Sequence, residues 1–229
     1  GVIVTRSDPS QAKHKGLTYF FIDMKSPGIE CRRIDQISGI SNFNEVFFTD
    51  VLVPDSQRLG EVGDGWRVSL TTLMNERLAI GERPAPGFEE ALELAKEIEL
   101  EDGPAIEDGG VRDKLADWYI NGRGVTLTRF RSLTALSRGE DPGPENSIGK
   151  ALTGKMRQDI ASFGMDLMDA AGMVSDPDYA PMRGMFQDAL LDAPSGRIAG
   201  GTDEILRNII AERVLGLPQD IRVDKGIPY

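Results

Sequence analysis

The chain has 229 residues, 26 of them Lys or Arg and 37 Asp or Glu, giving a formal charge of −11 and an isoelectric point near 4.7. That length makes one large domain or two small ones. A composition of 40% hydrophobic and 28% charged residues is that of a soluble globular protein and excludes a disordered or fibrous chain. The acidic balance argues against nucleic acid as the main partner, because phosphate binding needs a basic surface. No apolar run approaches the roughly 18 residues of a membrane span. The start carries no signal-peptide pattern, so a cytoplasmic location is expected. Cys31 has no second cysteine with which to form an intrachain disulfide or a Cys-rich metal site. The single histidine, His14, lies in a polar stretch, which argues against a Ser-His-Asp triad or a histidine metal centre, and no metal is expected. Chemistry must then come from carboxylates, arginines, backbone groups or a bound cofactor.

Gly1 runs straight into Val2-Ile3-Val4, which suits a processed start and, at least as well, a piece of a longer chain. Residues 1 to about 60 read as β. Val2–Thr5, Leu17–Asp23, Ile29–Ile34 and Glu45–Val53 are rich in Val, Ile, Phe, Tyr and Thr, with Gly, Pro and Asp turn signals between them. Four short strands are too few for an independent sheet with a good core, so missing strand partners are expected.

The period becomes helical after Gly63-Asp64-Gly65-Trp66, where Leu70, Met74 and Leu78 form an i, i+4, i+8 stripe. Gly81, Pro84, Pro86 and Gly87 interrupt it, and Phe88–Ile98 resumes. After an acidic loop from Glu99 to Gly110, the clearest helix carries Val111, Leu115, Trp118, Gly122, Val125, Arg129, Leu133 and Leu136 at steps of three or four. Asp141-Pro142-Gly143-Pro144 ends it. A second long amphipathic helix carries Ile148, Leu152, Met156, Ile160, Phe163, Leu167 and Ala170. One short helix is expected near Met182–Leu191. The last follows Gly200-Gly201-Thr202 and runs to about Leu215, with Thr202 as N-cap and Asp203 and Glu204 in the first turn, where the helix dipole favours acids. The fold class is mainly α with a β lead-in: part of an antiparallel β domain over residues 1–60, then a helical bundle of four main segments over residues 61–229.

Each candidate functional residue has two readings. The glycine pair Gly200-Gly201 permits close backbone approach, and its N–H groups suit an anion or oxyanion; the alternative is a plain loop with a threonine cap. Glu76 lies opposite the Leu70/Met74/Leu78 stripe among Leu73, Ala79 and Ile80. There a carboxylate can be poised as a base, although pattern alone favours a solvated face. Arg123, Arg129, Arg131 and Arg138 suit a phosphate or a neighbouring subunit, although pattern favours ion pairing within and between helices. Trp66 and Trp118 read as core, and Asp166–Met173 as a close-packed helix end with Gly172 as cap.

Taken together, these motifs resemble the acyl-CoA dehydrogenase family. Ser7-Asp8-Pro9 with Gly16–Met24 looks like the second half of its middle β domain, and Val46–Pro54 like that domain's last strand. Gly63-Asp64-Gly65-Trp66 resembles the entry to its first C-terminal helix. Gly200–Asn208 and Glu212–Pro218 resemble its closing helix. The resemblance covers essentially the whole chain and lacks the family's N-terminal helical domain and the first half of the β domain. It implies FAD as cofactor, an acyl-CoA substrate, an electron-transferring flavoprotein as electron acceptor, and a homo- or hetero-oligomer. The family's usual base precedes the Gly-Thr of the closing loop, where this chain has Gly200, which keeps only a backbone N–H for the thioester oxygen. Some branches carry the base on the first C-terminal helix immediately before an arginine, and Glu76-Arg77 matches that pattern. The resemblance thus implies Glu76 as base, Gly200 as oxyanion donor, Arg77 and Gly201 against the substrate, and Thr202, Asp203 and Glu204 near the adenosine end of FAD.

The family's Arg-x-x-Phe-Gly segment and its glutamine, which touch the flavin pyrophosphate, are absent from Glu97–Gly110. Its Gln-x-x-Gly-Gly stretch has become Asp166–Ala170. This chain alone is therefore expected to hold FAD poorly and to be inactive. The alternatives are a non-catalytic subunit that completes a partner's flavin site, and a helical interaction module.

Overall fold

The computed structural model of the chain describes residues 1–79, 86–140, 143–221 and 228, with residues 74–79 as backbone only. Two compact units form: residues 1–82 with 220–229, and residues 83–219.

In the first unit, β1 (Val2–Arg6) pairs antiparallel with β2 (Leu17–Phe21), Val2 opposite Phe21 and Arg6 opposite Leu17. The short β5 (Arg58–Leu59) pairs with the other side of β2. β3 (Ile29–Ile34) and β4 (Phe43–Phe48) form a separate antiparallel hairpin. The last strand expected to reach Val53 thus ends at Phe48, ahead of Asp50, whose φ of 50° breaks the extended path. Helix α1 (Gly65–Ala79) follows. Thr18 on β2 is buried, and its hydroxyl lies 2.6 Å from that of Ser7 and accepts the Gly63 N–H at 3.1 Å. Tyr19 is buried beside it, its hydroxyl 3.2 Å from that of Thr72 on α1. Satisfied polar groups therefore seat the start of α1 against β2. Trp66 departs from the expectation of a core residue. It is 39% exposed and stacks on His14 at 4.0 Å with an interplanar angle of 12°.

The second unit is helical: α2 (Phe88–Glu97), a miniature hairpin of β6 (Glu99–Leu100) and β7 (Gly103–Pro104), α3 (Gly109–Ser137), α4 (Asn146–Met168), α5 (Met185–Gly196) and α6 (Asp203–Ile209), the last continuing as a π-helical turn over Ile210–Val214. Asp108 caps α3 by accepting the Val111 N–H at 2.9 Å, and Glu90 accepts the Gly87 N–H at 2.7 Å ahead of α2; caps of this kind satisfy amides that a helix leaves open. The core gathers Leu94 from α2, Leu115 and Trp118 from α3, Ile160 and Phe163 from α4 and Phe186 from α5. Trp118 meets Phe163 edge-on at 5.1 Å, the geometry that the ring quadrupoles favour. Phe186 is fully buried, and burial of one such side chain contributes about 2–3 kcal/mol.

Two stripes are shorter than the periodicity suggests. In α3, only Val111, Leu115 and Trp118 are buried, and Leu133 and Leu136 are exposed. At 29 residues the helix is about 44 Å long, and its buried side chains all lie in its first third. In α4, Leu152 is exposed, while Gly154, Ile160, Ala161, Phe163, Gly164 and Met168 form the buried face. Small residues there admit α5: a Cβ on Gly164 would lie 2.1 Å from the Phe186 ring. α4 also ends at Met168 and not at Gly172. The positive-φ residue that stops it is Asp169 (φ 47°, ψ −127°), and Gly172 is buried in a following 3-10 turn, where a Cβ would come within 2.8 Å of the Met165 carbonyl oxygen.

Candidate functional site

α5 runs into a short loop, Arg197–Thr202, that leads to α6. Gly200 and Gly201 both sit at positive φ, 69° and 108°, a region that glycine enters at no steric cost. A Cβ on Gly200 would meet nothing within 4 Å, so that glycine is explained by backbone conformation and an open side, not by crowding. Neither the Gly200 nor the Gly201 N–H has an acceptor among the described residues. Thr202 closes the loop by accepting the Ile205 N–H at 3.4 Å, as an N-cap does.

Four side chains hold this loop. Lys150 on α4 donates to the Gly201 carbonyl oxygen at 2.5 Å. Arg197 donates Nε–H to Asp203 Oδ2 at 2.7 Å, places Nη2 2.6 Å from the same oxygen, and donates Nη1–H to Gln158 Oε1 on α4 at 2.9 Å. Asp203 is only 5% exposed, and its Oδ1 is buried without a hydrogen-bond partner among the described residues. Burial holds the Lys150 ammonium below its usual pKa, Asp203 partly offsets this, and Arg197 adds to the lowering. Glu204 is exposed at the first turn of α6. Hydrogen bonds from its own backbone N–H and from the Thr202 hydroxyl hold its carboxyl below the usual range.

The five expected site residues Gly200, Gly201, Thr202, Asp203 and Glu204 are contiguous in this loop and helix start. The Asp203 side chain is buried against Arg197, and the half-buried Thr202 hydroxyl serves the cap and Glu204, which leaves Gly200 and Glu204 exposed. Glu76 and Arg77 are backbone positions of α1 in the first unit, one helical turn beyond Thr72, and their side chains lie outside the described residues. Sequence reasoning missed Lys150, Gln158 and Arg197. A signal was present: Lys150, Gly154 and Gln158 are four apart on α4, a polar-glycine-polar stripe beside the apolar one. The second unit also has an open apolar groove of about 430 Å³ between α2 and α3, lined by Phe88, Leu92, Ile106, Leu115 and Tyr119 with Arg112 at its edge. Among the described residues no cluster of three His, Cys, Asp or Glu side chains could hold a metal, and no helix is long and apolar enough to cross a membrane.

A family model for the acyl-CoA dehydrogenase C-terminal domain matches residues 63–215, two thirds of the chain and the whole of the closing loop. The chain belongs to the acyl-CoA dehydrogenase family. It is 38% identical over 221 residues to acyl-CoA dehydrogenase FadE34 of Mycobacterium tuberculosis, covering 96% of this chain and 29% of that protein. It is 34% identical over 227 residues to acyl-CoA dehydrogenase IpdE1 of Mycolicibacterium smegmatis, covering 96% of this chain and 54% of the relative. The chain thus spans about half the length of these relatives or less. The acyl-CoA dehydrogenase fold is equally plain: the structure titled Tcur3481-Tcur3483 steroid ACAD superposes with a TM-score of 0.79 at 22% identity, over 95% of this chain and 56% of that one.

Proposed function

We propose that this chain supplies the C-terminal part of the active site of an FAD-dependent acyl-CoA dehydrogenase, with residues 1–60 as the end of its middle β domain and 61–229 as its helical domain. The reaction is oxidation of an acyl-CoA thioester to the 2,3-enoyl-CoA. The observation that carries this reading is the Gly200-Gly201 backbone: two amides without acceptors among the described residues, held open-sided by the flanking contacts in a chain of this family. Such amides suit an oxygen that gains negative charge when a proton leaves the α-carbon of a thioester, and one pre-aimed donor of this kind is worth about 3–4 kcal/mol in the transition state.

Glu76 takes the α-proton onto its carboxylate. The Gly200 N–H donates to the thioester oxygen, which makes the α-C–H acidic enough for a carboxylate base to act. Arg77 and the Gly201 backbone orient the thioester end. The Glu204 carboxylate suits hydroxyl donors, such as those of the ribose at the adenosine end of FAD, while Thr202 and Asp203 hold that edge of the loop in place. Bound FAD would supply the acceptor for the β-hydride. An electron-transferring flavoprotein would accept the electrons that bound FAD takes up, and Leu127, Phe130 and Leu133, exposed on α3, support assembly as a homo- or hetero-oligomer.

The test is anaerobic mixing of the flavin-loaded full-length enzyme with a panel of fatty and steroid acyl-CoAs, reading flavin bleaching and product mass. Bleaching with loss of two hydrogens from the acyl chain is expected. A purified complex with stoichiometric flavin that none of the panel bleaches would overturn the reading and leave a non-catalytic subunit.

A further inference from the structure

Lys150, Gly154 and Gln158 lie at i, i+4 and i+8 on α4, one face of the helix with about 6 Å between successive members. All three meet the closing loop or the residues that enter it. Lys150 donates to the Gly201 carbonyl oxygen. A Cβ on Gly154 would lie 3.3 Å from the Gly196 carbonyl oxygen and 3.4 Å from Arg197 Cγ, so the chain entering the loop rests directly on the helix there. Gln158 takes the Arg197 Nη1–H. Arg197 in turn reaches across the loop to Asp203, so one ion pair joins the residue three before Gly200 to the residue two after Gly201.

The two glycines lose more conformational entropy on ordering than any other pair of residues. A loop with two amides that bond to no described residue has little of its own to hold it. We infer that the Lys150-Gly154-Gln158 face of α4, with the Arg197–Asp203 pair, is a positioning platform that fixes the Gly200-Gly201 amides for an acyl thioester oxygen. None of these side chains needs to touch the substrate. Lys150 acts through the Gly201–Thr202 peptide plane: a trans peptide points its C=O and N–H to opposite sides, so fixing the carbonyl toward α4 turns the Thr202 N–H the other way and, with Arg197 anchored at the other end, narrows the paths open to the Gly200 and Gly201 amides between them. A side chain at Gly154 would press on the Gly196 carbonyl oxygen and Arg197, so the chain entering the loop must give by a few tenths of an ångström.

This inference rests on the dehydrogenase reading for the identity of the ligand, but not for the mechanics of the loop, and the test separates the two. Amide hydrogen exchange in the 229-residue chain reads the Ile205 and Leu206 N–H groups, which bond to Thr202 at the loop's end. Lys150→Met is expected to speed their exchange by about 10–100-fold, the worth of one charge-assisted hydrogen bond, and Lys150→Arg, which keeps a donor, to restore most of the protection. Gly154→Ala, which leaves every hydrogen-bonding group in place, is expected to act in the same direction as Lys150→Met.

In the flavin-loaded full-length enzyme, Lys150→Met should slow flavin reduction by an acyl-CoA on the order of 10–100-fold, the scale of a misplaced reacting group, with the KM for the thioester changed less than about threefold because ground-state contacts survive. Unchanged exchange in both Lys150→Met and Gly154→Ala overturns the platform. Faster exchange with an unchanged reduction rate overturns its role in positioning. A wild-type enzyme that no acyl-CoA reduces sinks the dehydrogenase reading instead, and the exchange data then decide the platform alone.

Discussion

The Arg197–Asp203 pair is asymmetric, and its two halves should fail differently. Asp203 is almost wholly buried, with Oδ2 taking both Arg197 contacts and Oδ1 taking none, whereas the Arg197 side chain is 37% exposed. Arg197→Met strips the buried carboxylate of its partner and also deprives Gln158 Oε1 of its donor. Leaving a buried charge uncompensated costs about 3–5 kcal/mol. Asp203→Asn leaves a guanidinium that can turn to water, and its cost should be nearer the 1–3 kcal/mol of one hydrogen bond to a charged group. At roughly 2–4 °C per kcal/mol for a chain of this size, Arg197→Met lowers Tm by about 6–20 °C. Replacing both, as Arg197→Met with Asp203→Asn, removes the stranded charge and should cost less than Arg197→Met alone. Urea and thermal unfolding of the four proteins at pH 7, followed by circular dichroism, measure the cycle. Losses below about 0.5 kcal/mol for Arg197→Met, or a double variant whose losses simply add, would show that Asp203 carries no stranded charge.

Gly164→Ala places a methyl on the Phe186 ring at the α4–α5 contact and should destabilise by about 1–3 kcal/mol in urea melts, with Phe186→Leu in the same chain recovering part of the loss. Asp169→Gly removes a non-glycine residue from φ 47°, ψ −127° and should raise stability by about 1 kcal/mol, the relieved strain less the extra freedom of glycine in the unfolded chain. The carboxyls of Asp8, Asp55, Asp64 and Glu204 are held below their ordinary values of 3.8 and 4.5 by hydrogen bonds: from Ser10, Arg58 and Arg67 for the aspartates, and from its own N–H and the Thr202 hydroxyl for Glu204. Folded values depressed below unfolded ones give stability that is present above the ordinary values and lost as pH falls through the folded ones. Acid melts should therefore steepen below about pH 4, and Glu204→Gln should flatten that limb.

Much of the architecture was legible because it rests on period and punctuation. The change from β to helical period at Gly65, the Thr202 cap and the paired glycines are local signals, and the structure places α1 and α6 where those signals put them. Burial was less legible, because a stripe records which face is apolar and not how far along the helix a partner lies against it. The outer part of α3 and Leu152 on α4 kept the period without the burial. Trp66 found a surface stack on His14 that composition does not announce. The contacts of Lys150 and Arg197 were illegible for another reason: each reaches a group distant in sequence, 51 residues away for Lys150 and Gly201. Only the regular spacing of Lys150, Gly154 and Gln158 hinted that one face of α4 has a task beyond the core.

The proposed function depends most on one residue, Glu76 as its carboxylate base. Its most direct test is flavin reduction by acyl-CoA in a single anaerobic turnover of the full-length enzyme carrying Glu76→Gln, which keeps size and hydrogen bonding but accepts no proton. The account predicts a rate lower by at least the roughly 10²–10⁴-fold typical of general-base loss, with flavin content and acyl-CoA affinity nearly unchanged. Reduction as fast as in the wild type would contradict it and place the proton acceptor elsewhere.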